Sequence, residues 1–128
     1  MNGQTYRNVL GSFGPAAGPR LVVGAHYDVC GDQPGADDNG TGVAALLELA
    51  RLLGQQASLP YHVELVAYTL EEPPFFRTTN MGSFRHAQRL HRAARRRAWH
   101  GGARNAGLLR RLPRLAALPP GFAKAGVW

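Results

Sequence analysis

The stretch from residue 21 to 68, LVVGAHYDVCGDQPGADDNGTGVAALLELARLLGQQASLPYHVELVAY, decides the fold, because apolar runs of two different periods alternate in it. Leu21-Val22-Val23-Gly24-Ala25 is short, apolar and bounded by Pro19 and a polar loop, which suits a buried strand. From Gly42 onward, VAALLELARLLG sets Val43, Leu46, Leu47, Ala50 and Leu53 at helical spacing. Gly54 suits the helix stop, and Asn39 or Thr41 the cap. His62 to Tyr68 reads as a second strand, followed by a loop with Pro73-Pro74. Strand, helix, strand is the βαβ pattern of a parallel or mixed sheet covered by helices, so the expected class is α/β. Upstream, Tyr6 to Phe13 predicts an edge strand, closed by turns at Gly14-Pro15 and Gly18-Pro19.

Composition removes several alternatives. A chain of 128 residues suffices for one domain with a modest core. The single cysteine, Cys30, excludes an intramolecular disulfide framework and a Cys-based zinc finger. No apolar run approaches the length of a membrane span, the longest being broken at Gly24, Glu48 and Glu71. No charged, apolar, small-residue leader pattern opens the sequence, which makes the cytoplasm the default expectation.

The net charge of +7 conceals two halves. Residues 1–80 carry four arginines against all eight acids, a balance of −4. Residues 81–128 carry ten arginines and Lys124 without an acid, a balance of +11. The acids are therefore concentrated where the strand–helix–strand pattern lies. In open α/β sheets ligands bind beyond the carboxyl ends of the strands. The polar residues gather at those ends: His26 and Asp28, then Asp37-Asp38-Asn39-Gly40 at the helix start, and Glu71-Glu72 after the second strand.

Each of these residues alone has an ordinary structural role: a strand-end histidine, a turn aspartate, capping acids, a solvated loop. Together, one imidazole with several carboxylates suits zinc, or manganese as second choice. Closely packed carboxylates repel, and divalent cations would neutralise them. The glycine-rich run from Gly31 to Gly42 lacks both the Lys-Ser/Thr ending of a P-loop and the acid spacing of an EF-hand.

The strings VVGAHYD (22–28), PGADDNGTGVAALLELAR (34–51) and ELVAYTLEEPPFFRTTNMGS (64–83) resemble the bacterial zinc aminopeptidase family with a co-catalytic di-zinc site. The likeness covers residues 5–90. It implies a fragment of a zinc-exopeptidase-like sheet flanked by helices, with the C-terminal third irregular or loosely helical. It also implies residues 1–90 as a truncated peptidase core and residues 91–128 as an Arg-rich segment outside the family pattern. By the same likeness His26 is a ligand of one zinc, Asp38 the carboxylate bridging both, and Glu72 a ligand of the other. Asp28 is the acid that orients the His26 imidazole, a role zinc-bound histidines ask for. Glu71 is the general base toward a metal-bridging water, in hydrolysis of a terminal peptide bond of a peptide or aminoacyl substrate. Related enzymes on this scaffold act as carboxypeptidases or deacylases, which leaves the attacked end of the substrate open.

The family site takes two zinc ions and five protein ligands, of which this chain supplies three. Its isolated activity is accordingly expected to be weak or absent. No acid follows Glu72, and His86, His91 and His100 match no family motif. The genetic code offers a reason. Shifted forward by one base, the codons of RAWHGGARNAGLL (97–109) permit VRGMVALEMLGYF, which resembles the family's next strand and its carboxylate. A frameshift between His86 and Arg97 would explain both the missing acids and the surplus arginines. The competing class is a non-catalytic, Arg-rich nucleic-acid-binding protein on a decayed peptidase scaffold. Arg85, Arg89, Arg92 and Arg96 do fall at helical spacing, yet no recognised nucleic-acid motif accompanies them.

Overall fold

The computed structural model describes residues 3–100 of the chain. Contacts group the chain into two units, Met1–His91 and Arg92–Trp128, and the sheet lies wholly in the first. That sheet has three strands, β1 (Val9–Phe13), β2 (Arg20–His26) and β3 (His62–Tyr68), in the order β1-β3-β2. β3 runs parallel to β2, with His26 beside Tyr68, and antiparallel to β1, with Val9 beside Ala67. Between β2 and β3 stands helix α1 (Thr41–Leu53), and α2 (Gly82–His100) follows a loop after β3. The fold is thus α/β, a small mixed sheet flanked by two helices. Of the proposed shifted-frame segment, residues 101–109 lie outside the described residues, as does the rest of the Arg-rich segment beyond 100.

Strand periodicity divides the sheet's side chains between two faces. Val63 and Leu65 of β3 join Ala25 of β2 and Leu46 of α1 in a buried cluster. Phe13, Val23, Ala50, Leu53, Leu59 and Ala67 pack around it. The helical spacing seen in the sequence is therefore the stripe that α1 lays on the sheet. β3 is central, and its residues Val63 to Val66 are buried on both faces. β2 is an edge strand among the described residues, which leaves Leu21 and Val22 exposed.

The first strand is shorter than the apolar pattern suggests. It begins at Val9 because Asn8 leaves the ladder: its side chain accepts from the Thr69 N–H (3.2 Å) and donates to the Gly82 carbonyl (2.8 Å). Of the two expected capping residues, Asn39 serves the helix: its Oδ1 accepts from the Gly42 N–H at 3.0 Å. The Thr41 hydroxyl instead donates back to the Asp37 carbonyl (2.9 Å). No helix among the described residues is long and apolar enough to cross a membrane.

Candidate metal centre

The two parallel strands end side by side. Tyr27 donates its main-chain N–H to the Tyr68 carbonyl at 2.9 Å, so the residues just beyond each strand emerge at one edge of the sheet. His26 is the last residue of β2, and Glu71-Glu72 follow β3 by three and four positions. The turn Ala36–Gly40 closes the edge from the α1 side and presents Asp38. Gly35 begins that turn with φ 66°, and a Cβ there would run into the Val29 side chain, so only glycine fits the bend.

The side chains converge. The His26 Nε2 lies 2.9 Å from Asp38 Oδ1 and 3.8 Å from Glu71 Oε2. One ligand atom each from His26, Asp38 and Glu72 lie within 4.8 Å of one another. Among the described residues this is the one His/Cys/Asp/Glu group so arranged. Asp28 supports it from below: its Oδ2 accepts the main-chain N–H of Glu72 at 3.0 Å, tying the β2 exit to the second carboxylate.

The structure refines how Asp28 meets the imidazole. The closer oxygen to His26 Nδ1 is the Asp28 main-chain carbonyl, at 3.1 Å, while its carboxylate Oδ1 stands at 3.7 Å. That Oδ1 is buried and has no hydrogen-bond partner. Both nitrogens of His26 thus face oxygen acceptors. A ring donating through Nδ1 directs its Nε2 lone pair at the Asp38 carboxylate, and a cation shared by the two resolves that opposition. One imidazole nitrogen with carboxylate oxygens is a donor set for zinc or another borderline divalent ion, so the residues present fit such a group.

Electrostatics agree with this. The Glu71 carboxyl is pushed above the ordinary carboxylate range, first by burial and then by the charges of Glu72, Asp28 and Asp38, with His26 opposing. A carboxyl raised in the folded state favours the metal-free fold at acid pH, a contribution lost as pH rises past its folded value. A bound cation would oppose this shift and favour the ionised carboxylate.

The sequence pattern did not reveal a second polar group, on the α2 face of the sheet. Glu64 is buried in the middle of β3 and takes a hydrogen bond from Arg20 Nη1 at 2.8 Å. His86 of α2 is also buried, with Nδ1 2.9 Å from the Tyr68 hydroxyl and Nε2 3.5 Å from Glu64 Oε2. The visible signal was a glutamate among Val63, Leu65 and Val66, since a charge in a buried strand requires a partner.

A histidine–carboxylate cluster thus stands at the carboxyl ends of the two parallel strands of this α/β sheet. The chain belongs to peptidase family M28, which matches residues 8–99. Peptidases of this family are generally zinc-dependent. The chain is 53% identical over 100 residues to the uncharacterized protein YfbL of Escherichia coli, an overlap of 72% of this chain and 31% of that one. It is 39% identical over 72 residues to the aminopeptidase YwaD of Bacillus subtilis, covering 54% of this chain and 16% of the relative. The BOS complex subunit NCLN of Homo sapiens is 54% identical over 41 residues, 29% of this chain and 7% of that protein. The chain therefore spans less than a third of the length of these relatives. No solved structure matches it.

Proposed function

We propose that the chain carries the metal-binding part of a zinc-dependent exopeptidase of the aminopeptidase type. The observation that supports this reading most is the meeting of His26, Asp38 and Glu72 at one point, with Glu71 beside the same imidazole. Family membership and the aminopeptidase YwaD among the relatives support the same chemistry. His26, Asp38 and Glu72 would hold the metal. Bound there, the metal would polarise a scissile carbonyl and activate a water for attack on it.

The chain's own residues supply the rest. Glu71 accepts the proton of the attacking water and passes it to the leaving amine, so the peptide bond breaks with no charge left on the amine. Asp28 keeps Glu72 and the His26 ring in place through the Glu72 amide and its own carbonyl.

With three protein ligands out of five, the 128-residue chain is expected to hydrolyse aminoacyl p-nitroanilides only weakly, and only with zinc supplied. Glu71→Gln should lower that rate by about 10²–10⁴-fold, the range of a lost general base, while zinc affinity stays unchanged. Equal rates in the variant and the parent would remove Glu71 from the mechanism.

A further inference from the structure

The buried polar line on the α2 face has no part in the chemistry just described, yet it runs directly behind the metal-bearing strand ends. Tyr68 is the last residue of β3, and its carbonyl binds the amide next to His26. Its ring lies across Gly24 of β2, so closely that a Cβ at that position would collide with it. Its hydroxyl reaches His86 Nδ1 at 2.9 Å, from a different element, α2. The other nitrogen of His86 faces Glu64 of β3 at 3.5 Å, and Glu64 is held by Arg20 of β2 at 2.8 Å. One line of polar contacts thus joins β2, β3 and α2.

Burial, and then the charge of Glu64, push the Tyr68 hydroxyl up from its ordinary value. The other ring nitrogen of His86, Nε2, is buried without a hydrogen-bond partner, with Glu64 Oε2 at 3.5 Å. Just past Tyr68 the same helix takes hold of the main chain: Gly82 donates its N–H to the Thr69 carbonyl at 2.8 Å. Leu70 then turns with φ 59°, and Glu71-Glu72 follow.

Packing alone does not account for such an arrangement. Buried polar groups with long or missing contacts cost stability, and an apolar cluster of similar volume would hold helix to sheet at lower cost. What hydrogen bonds add is direction. A site that must hold its ligands within about half an ångström needs its supports fixed in that way.

We infer that Tyr68 and His86 are positioning residues for the metal centre: their contact braces the end of β3 against α2 and sets the place of Glu71 and Glu72 relative to His26. This rests on the reading of His26, Asp38 and Glu72 as metal ligands. The contact acts through the main chain, since neither side chain touches the ligand atoms.

The test is zinc affinity, measured by competition with a chromogenic chelator, beside urea unfolding of the metal-free protein. Tyr68→Phe keeps the ring over Gly24 and removes only the hydroxyl. It should weaken zinc binding about tenfold, the lower end of what changes next to a metal's ligands do. His86→Phe should do the same, and the double variant should be no weaker than either single one, because both remove one contact. His86→Asn, whose Oδ1 can accept from Tyr68, should recover most of the loss. Unchanged zinc affinity with only a lower urea midpoint would overturn the inference, and so would effects that simply multiply. If the parent chain took up no zinc, the metal reading would fail. The brace would then be judged in the metal-free protein by the amide resonances of His26, Glu71 and Glu72. They should shift in Tyr68→Phe, and no shift would overturn it.

Discussion

Glu72→Gln is expected to weaken zinc binding about 100-fold or more, beyond the 10–100-fold typical of changes to groups that merely support a ligand. The substitution keeps the size and the main-chain N–H, so the Asp28 hydrogen bond to that N–H at 3.0 Å survives and the strand ends stay paired. What changes is one anionic donor in a cluster of three. The same change removes a like charge beside Glu71, Asp28 and Asp38, so the metal-free variant should be at least as stable as the parent. The expected pattern is therefore crossed: no loss of melting temperature without metal, and a rise only at about 100-fold higher zinc than the parent needs. Ligand binding to the folded state alone stabilises by mass action, so the parent should melt higher with each increase in zinc. A variant that melts higher at the same zinc concentrations as the parent would remove Glu72 from the ligand set.

Leu46→Ala is expected to cost about 2–5 kcal/mol, the range of leucine truncations in packed cores. Leu46 is the buried side chain of α1 and meets Ala25, Val63 and Leu65 of the sheet. The core of this unit is small, with Ala25, Leu46, Val63, Leu65, Val66 and Leu70 as its buried apolar residues. Domains of this size are stable by only about 5–15 kcal/mol, so the loss is a large share of the total. Urea unfolding followed by circular dichroism would read it as a lower midpoint with little change in slope. Leu47, which is 68% exposed on the same helix, is the control: Leu47→Ala should move the midpoint little. A similar loss at both positions would mean that α1 does not pack through the Leu46 face.

Much of this was legible because period and chemistry coincide in residues 21–72. The stripe Leu46, Ala50, Leu53 named the face that α1 buries, and the run His62 to Tyr68 named the central strand. That His26, Asp37-Asp38 and Glu71-Glu72 gather at one edge followed from a general property of parallel strands, whose carboxyl ends open onto one edge, while the choice of His26, Asp38 and Glu72 among them came from the family resemblance. The β2–β3 pairing is a tertiary fact, yet the βαβ pattern forces it. What stayed hidden depends on contacts between residues far apart in sequence. Asn8 ends β1 early because Thr69 and Gly82, some sixty and seventy positions on, occupy its side chain. His86 looked like one more residue in a basic run, and only the folded chain puts it under the sheet beside Tyr68 and Glu64. The oxygen nearest His26 Nδ1 could not be read either, since a main-chain carbonyl leaves no mark in residue identity.

On the proposed reading, one histidine and neighbouring carboxylates of this chain hold a metal ion. X-ray absorption at the zinc edge of the zinc-loaded protein tests it most directly, because nitrogen and oxygen donors lie at about 2.0–2.2 Å and thiolate sulfur at about 2.3 Å. The expected spectrum shows a shell of nitrogen and oxygen with imidazole scattering, which disappears in His26→Ala. Failure of the protein to retain zinc, or a sulfur shell pointing to Cys30, would contradict it.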